Sequence, residues 1–556
     1  MRAVLGRRGM LAALGAGGAS VLASGARGHA SATVTPFLHG VSSGDPRPDR
    51  VVIWTRVTVS PDAHPGSGIG AAVSVTWEVS QDCDFRRLVK TGTAVTGSAT
   101  DHTIKVDVRG LEPGQRYYYR FLALGSASPT GATRSAAARD SVRPVRFGVV
   151  SCAHHEWGHF AAYRHLAGME LDAVLHLGDY IYEYPRDAVV AGVSSPLKSR
   201  GHLPIHETVT LQDYRMRHGQ YRLDANLQAM HAKHAVIAIW DDHEIANDAW
   251  REGAENHGPG EGDFPARVNA ARQAWLEWLP VRPDPHDPAE RIHRKFEFGR
   301  LVDLWMLDER SYRDEQPASA LLGYVSVDRA VTDPDRTMLG RSQRDWLVGG
   351  VRSSTATWQV LGNQVPFFPL QVGPALPGQV AALLKPLAGN IPLAVPPALY
   401  VDDWNGYQAE RQHLAKAFEG EANVVVLTGD VHETFVCDIP KDAGSYLLTR
   451  ASNAVEFIVP GVSSPSIARG LNTVATPVGN LVDTILETNL ALGSPWVKYH
   501  EGFANGFGVV DFTESRVHCD MWHLDDVTDP RSGARVAVSY ASRRGTRRAV
   551  RVQAAL

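Results

Sequence analysis

The chain of 556 residues has only four cysteines, Cys83, Cys152, Cys437 and Cys519, and no CxxC pair among them. That excludes a disulfide scaffold and a structural zinc ribbon, and leaves room for at most one bridge, with Cys437 and Cys519 as the candidate pair. Neither sign of charge dominates. With 56 basic and 60 acidic side chains, no bulk field draws the protein to nucleic acid or to a membrane. No repeat period is visible, which excludes a solenoid or a propeller. Beyond residue 32 no stop-transfer segment follows, and prolines break the one other apolar stretch, Phe367 to Ala398, so a spanning helix is not expected there.

What is present begins with Arg7-Arg8, an Ala/Gly/Leu run to about Ser24, and the small residues Ala30-Ser31-Ala32. Residues 1–32 read as a twin-arginine export signal that is cleaved, giving a secreted product; the alternative is a membrane anchor. At 44% hydrophobic and 21% charged, the rest is globular and long enough for two domains. Residues 33–142 alternate in the manner of strands, with a Gly110-Leu111-Glu112-Pro113-Gly114 turn before Tyr117-Tyr118-Tyr119, and predict a fibronectin-like β-sandwich. Residues 143–526 predict an α/β sandwich: Val145 to Ser151, Phe160 to Ala167 and Leu171 to Leu177 read as a βαβ unit, and further strands are expected at Ala235 to Trp240, Leu301 to Leu307, Trp358 to Leu361 and Asn423 to Thr428. Residues 527–556 form a basic tail, with seven arginines against the single Asp529. It reads as a solvated terminus or, more pointedly, as a patch for an anionic surface.

The chemistry-bearing residues follow these strands. Asp179 and Tyr182 come directly after Val174 to Leu177, Cys152 after Val145 to Ser151, Asp241, Asp242, His243 and Asn247 after Ala235 to Trp240, Asn363 after Trp358 to Leu361, and Asp430 and His432 after Val424 to Leu427. Open α/β sheets gather such strand ends at one edge. A carboxylate can bridge two cations, a tyrosinate can bind a trivalent ion, a cysteine at a strand end can be a further ligand, and crowded carboxylates are costly to bury without a cation. The blander readings are a buried hydrophobic Cys152 and a helix cap at Asp241 or Asp242.

The run GDYIYEY, followed in order by WDDHEIAND, LGNQVPF, DDWNGY, TGDVHETF and VEFIVPGVSSP, and preceded by HGVSSGDP, resembles the PhoD-like alkaline phosphatases and phosphodiesterases of the metallophosphoesterase superfamily. The resemblance covers nearly the whole mature chain. It implies an α/β sandwich of metallophosphoesterase type behind the β-sandwich, and a centre of ferric iron and calcium. Carried over, Cys152, Asp179, Tyr182 and His432 match the iron shell, with Asp179 bridging to calcium, and Asp242, Asn247, Asn363 and Asp430 match the calcium shell. His243 matches the histidine that assists the leaving oxygen, and Asp241 a supporting position. Thiolate and tyrosinate suit the ferric ion, carboxylate and amide oxygens the calcium.

The implied activity is metal-dependent hydrolysis of a phosphoric ester, with a phosphodiester preferred. The family includes a secreted phospholipase D without the usual HxKxxxxD motif, and here His231-Ala232-Lys233 is followed by Ala238 where the aspartate would fall. A phospholipid substrate with transient membrane-surface contact is therefore expected, with the Phe367 to Ala398 loop either packed over the core or facing lipid. The alternatives are an alkaline phosphatase acting on monoesters and a non-catalytic envelope protein with structural metals. No specific nucleic-acid partner is expected, because no basic groove shows in the composition.

Overall fold

Short runs of valine, isoleucine and leucine make strands that are buried on both faces, and seven of these strands carry the candidate site. They are β1 (Val145–Val150), β2 (Ala173–Leu177), β3 (Ala235–Ile239), β4 (Val302–Met306), β5 (Trp358–Gly362), β6 (Val424–Thr428) and β7 (Ser452–Ile458). The computed structural model describes residues 35–555 apart from 191–192, 285, 287–290, 319–324, 327, 372–397, 421–422, 467–489 and 491. The expected export signal and most of the apolar loop lie outside the described residues. Among the described residues no helix is long and apolar enough to cross a membrane.

Two sheets face each other. In the first, of ten strands, β1, β2 and β3 are parallel neighbours, with Leu175 opposite both Val149 and Ile237. In the second, of seven strands, β4, β5, β6 and β7 are parallel neighbours, with Leu361 opposite Val426. Because successive side chains in a strand point to opposite faces, each strand of the second sheet serves two cores. Val425 and Leu427 enter the large cluster shared with β1, β2 and β3. Val424 and Val426 instead pack outward with Leu347, Val351 and Leu414 of the helices Gly340–Ser353 and Gln408–Ala417. All seven strands end on the same side, so seven loops meet at one edge.

The amino-terminal strands do form a sandwich, closed over Val41, Ile53, Val75, Tyr119 and Phe121. One of its layers is a separate sheet built on Val73–Ser80, Leu88–Thr96 and Arg116–Ala123. The other layer is the end of the ten-stranded sheet: Val41–Arg47 pairs in parallel with β3, and Arg50–Arg56 and Thr103–Arg109 follow it. The backbone ladder therefore runs unbroken across the boundary expected near residue 143, and Pro36–Leu556 is one compact unit.

Two expectations are corrected. The basic tail is not a loose terminus, because Ala534–Arg543 and Val550–Val552 add two antiparallel strands to the edge of the first sheet. Val538, Tyr540 and Ala549 are buried there, and the arginines gather in the turn between these strands. The bridge between Cys437 and Cys519 is absent, and all four cysteines are free thiols. Cys437 faces the outer core of the second sheet, whereas Cys519 belongs to the core of the first.

Candidate metal centre

The loops at this edge depart from ordinary backbone geometry. Cys152, Asp179, Asp430 and His432 all have positive φ, between 54° and 66°, a region that non-glycine residues seldom occupy and that persists only where the surroundings enforce it. Glycines bring the strand ends close together. A Cβ on Gly178 would lie 2.3 Å from Cβ of Asp241, and one on Gly429 would lie 2.5 Å from Oγ of Ser151.

Buried glutamates brace the same loops. Glu244 accepts hydrogen bonds from the backbone N–H groups of Asp179 (3.0 Å), Tyr180 (2.5 Å) and Asp241 (2.8 Å), tying the end of β2 to the end of β3. Glu309 accepts from the N–H groups of Gln364 and Val365, each at 2.9 Å, and from Trp404 Nε1 at 2.9 Å. Glu456 accepts from the N–H groups of Phe367 and Phe368 and from Thr428 Oγ1. Burial pushes Glu244 and Glu309 up to about 8 and Glu456 up to about 7, against the pull of these donors.

Ligand-type side chains meet in three overlapping groups. Cys152, Asp179 and His432 form the first, Asp179, Asp242 and His243 the second, and Asp241, Asp242 and Asp430 the third; within each, the ligand atoms lie within 4.8 Å of one another. Asp179 is common to the first two and Asp242 to the last two. Tyr182 joins the first group: its hydroxyl donates to Asp179 Oδ2 at 2.7 Å, lies 3.2 Å from His432 Nε2 and accepts from Ser464 Oγ at 2.6 Å. Nδ1 of His432 is engaged by the carbonyl of Pro465 at 2.7 Å, which turns Nε2 toward the group.

Of the sequence-predicted residues, Cys152, Asp179, Tyr182, Asp242, His243, Asp430 and His432 come together, and Asp241 with them. The two asparagines are turned to other partners. Asn247 accepts from Tyr184 Oη at 3.1 Å and donates to Glu255. Asn363 donates to Val365 O and Thr428 Oγ1 and accepts from Trp404 Nε1 at 3.3 Å.

The donor set suits metal cations. Among the described residues Asp179 Oδ1 and Asp241 Oδ2 are buried and accept no hydrogen bond, a costly state unless a cation faces them. Burial raises Asp179, reinforced by Asp242 and Asp241 against the pull of His243, and burial likewise raises Asp430, Cys152 and Tyr182. A cation reverses that direction and holds all four as anions.

Sequence reasoning missed an arginine at the heart of the third group. The buried guanidinium of Arg310 contacts Asp241 Oδ1, Asp402 Oδ2 at 2.7 Å, Asp430 Oδ1 at 3.4 Å and Asp242 Oδ1 at 3.6 Å. Arg313 also pairs with Asp402, at 2.5 Å. Burial raises Asp242, but Arg310 and then His243 outweigh it and hold this carboxyl well below its usual range. Arg310 stands just past the end of β4, so the strand-end rule that found the other residues would have found it. Glu183, inside the quoted GDYIYEY run, was also passed over. It accepts from His243 Nδ1 at 2.7 Å, from the Asn247 N–H and from Asn256 Nδ2. Burial acts to lower His243, and the carboxylates of Asp242, Glu183 and Asp179 outweigh it and raise its pKa above the usual histidine range.

A family model described as PhoD-like phosphatase matches residues 147–521, and that of its N-terminal domain matches residues 22–137. The chain belongs to the PhoD-like phosphatase family. Alkaline phosphatase D of Bacillus subtilis (strain 168) is 38% identical over 416 residues, which span 73% of this chain and 66% of that relative. A solved structure of PhoD superposes with a TM-score of 0.78 at 32% identity, covering 94% of this chain and 93% of the other. Purple acid phosphatase PPD1 from yellow lupin (Lupinus luteus) seeds superposes with a TM-score of 0.50 at 10% identity, over 90% of this chain and 73% of that one. The last likeness concerns the fold alone.

Proposed function

We propose that this PhoD-like chain hydrolyses phosphoric esters at a centre of two kinds of cation. The observation that carries the proposal is the sharing of Asp179 between the group containing Cys152, Tyr182 and His432 and the group containing Asp242 and His243. Cys152, Asp179, Tyr182 and His432 would hold ferric iron. Asp242 and Asp430, with Asp179 as the bridge, would hold calcium, completed by Asn247 and Asn363 once their amides are released from their present partners. Cations held by these residues would supply positive charge for phosphoryl oxygens and acidify a water for hydrolysis.

The chain's own residues do the rest. Glu183 fixes Nδ1 of His243, and the remaining ring nitrogen of the imidazolium donates a proton to the departing oxygen. Arg310 holds Asp241, Asp242 and Asp430 as anions at fixed positions. Ser464 and Asp179 hold the Tyr182 hydroxyl in line with His432.

The finer proposal is a phosphodiester, with a phospholipid as substrate and its head-group alcohol as product. It rests on the sequence resemblance to the secreted phospholipase D. The name of the Bacillus subtilis relative, alkaline phosphatase, favours phosphomonoesters as the second reading. Export by the twin-arginine route, with residues 1–32 removed, is part of the same proposal and rests on the Arg7-Arg8 leader.

Assaying one preparation on a choline phospholipid and on an aryl phosphate monoester, with and without a calcium chelator, separates these readings. Faster choline release that the chelator abolishes supports the diesterase. Faster turnover of the monoester selects the alkaline phosphatase, and inertness toward both sinks the hydrolase. A visible absorption band lost in Tyr182→Phe tests the iron assignment, and a colourless, iron-free but fully active protein refutes it.

A further inference from the structure

At the end of the molecule away from the metal centre, a pair of bare leucines stands beside a cluster of unpaired arginines. The leucines belong to the hairpin between Thr434–Pro440 and β7, which carries the one-turn helix Tyr446–Thr449. Tyr446 is the root of this helix. It is buried, donates its hydroxyl to Asp438 Oδ2 at 2.5 Å, and lies 6.0 Å from the Trp496 ring. The next two residues face outward, Leu447 at 61% and Leu448 at 91% exposure.

The arginines come from the carboxyl-terminal strands. The turn joining Ala534–Arg543 to Val550–Val552 contains Arg543, Arg544, Arg547 and Arg548, and it is pinned to the same end of the molecule. Gly545 N–H donates to Asn423 Oδ1 at 2.5 Å, Arg547 Nη1 donates to the carbonyl of Glu419 at 3.1 Å, and Ala549 N–H donates to Asp438 Oδ1 at 2.8 Å. Asp438 therefore joins the two tips, with Tyr446 on one carboxylate oxygen and the arginine turn on the other. Arg450 closes the group, 5.5 Å from the Tyr446 ring. Each acidic residue described nearby has a partner. Glu419 pairs with Lys441, Asp438 pairs with Lys498, and Asp442 accepts from the Ser445 N–H. Among the described residues no carboxylate pairs with Arg450, Arg543, Arg544, Arg547 or Arg548.

We propose that Leu447, Leu448, Arg450 and the Arg543–Arg548 turn form a docking surface for an anionic lipid bilayer. Leucine side chains gain by entering the acyl boundary, and arginines beside them meet lipid phosphates, each contributing about 1 kcal/mol near a charged surface. A polyanion such as nucleic acid would leave the leucines in water. The surface lies at the amino end of β6, while Asp430 and His432 follow its carboxyl end, a separation of roughly 20 Å at 3.3 Å per residue. Docking there leaves the catalytic edge at the far end of the molecule, so this surface attaches the protein to a bilayer and does not itself present substrate to the centre. The inference is independent of which ester is cleaved.

The test is co-sedimentation with phosphatidylglycerol/phosphatidylcholine vesicles and with phosphatidylcholine vesicles alone. The proteins lack residues 1–32, whose apolar run would bind lipid by itself and which lie outside the compact unit Pro36–Leu556. Leu447→Ser/Leu448→Ser and Arg544→Glu/Arg548→Glu are compared with the parent, with thermal midpoint as the check of folding. The parent is expected to sediment with the anionic vesicles and to be released by salt. The arginine reversals weaken binding by at least about 25-fold, fivefold per charge, and the serine pair by about tenfold or more. Three results overturn the proposal: no sedimentation of the parent with anionic vesicles, equal sedimentation with neutral ones, or serine variants that bind as the parent does.

Discussion

Two groups of buried and half-buried acids stand side by side at the sheet edge and differ in what neutralises them. Asp241, Asp242, Asp402 and Asp430 surround the Arg310 guanidinium, so that group carries its own cation. Asp179, with Cys152 and Tyr182, has no arginine or lysine ion pair among the described residues; its near neighbours are Ser464, His432 and the His243 imidazolium. The difference teaches that burial of acid is tolerated here in two ways. One group is held in place by an internal cation, although Asp241 Oδ2 and Asp242 Oδ1 accept no hydrogen bond among the described residues, and the other has no such cation and is stabilised by whatever cation enters it.

The largest expected effect comes from the residue that links the two. Asp179→Asn should lower turnover of an aryl phosphate by about 10³-fold or more and reduce the metal retained after gel filtration. A variant that keeps both would show that the groups work separately. Next comes the internal cation. Arg310→Met leaves the surrounding carboxylates unpaired in the interior, and should destabilise the fold by about 3–5 kcal/mol, read as a lowered urea midpoint. Added calcium should restore more stability to this variant than to the parent, because it replaces the missing charge. An unchanged midpoint would mean that Arg310 is dispensable to the fold.

His243→Gln keeps a polar side chain but removes the proposed proton donor, and should cost about 10²-fold in turnover. The loss should be greatest for poor leaving groups, whereas an equal loss for nitrophenyl and alkyl esters would remove His243 from the proton-transfer step. The smallest effect lies away from the site and shows what burial does without a cation. His155, His176 and His218 are buried beneath the site, and desolvation lowers each to about 3. The unfolded chain binds these protons below about pH 6.5 while the folded chain refuses them. Their contribution is thus fully present above about pH 6.5 and is lost as pH falls toward 3, at about 1.4 kcal/mol per pH unit for each histidine. Replacing His176 by phenylalanine should flatten the fall of the urea midpoint between pH 6.5 and 5.

The strand-end pattern made much of this centre readable in advance. Cys152, Asp179, Asp242, Asp430 and His432 each follow an apolar run, and the structure sets them at one edge because parallel strands of two facing sheets end there. The same pattern was present at Arg310 and was passed over, since an arginine does not suggest a metal site until its acid partners are seen around it. The bracing glutamates were equally silent. Glu244, Glu309 and Glu456 act through backbone N–H groups of other loops, and a chain read in one dimension has no record of those meetings. The carboxyl-terminal arginines misled in the opposite sense. Their charge suggested a loose tail, while the alternation of Val538 and Tyr540 beside them encodes a strand of the first sheet that carries them.

The sequence by itself determined which residues are able to bind cations and which segments are strands, because ligand chemistry and side-chain alternation are local properties. Tertiary structure alone decided how the ligands are shared, through Asp179 and Asp242. It also decided that an arginine sits among Asp241, Asp242 and Asp430, that the asparagines turn elsewhere, and that the amino-terminal sandwich lends a layer to the catalytic sheet. Each of these depends on the distance between residues far apart in the chain, and that distance exists only once the two sheets have packed.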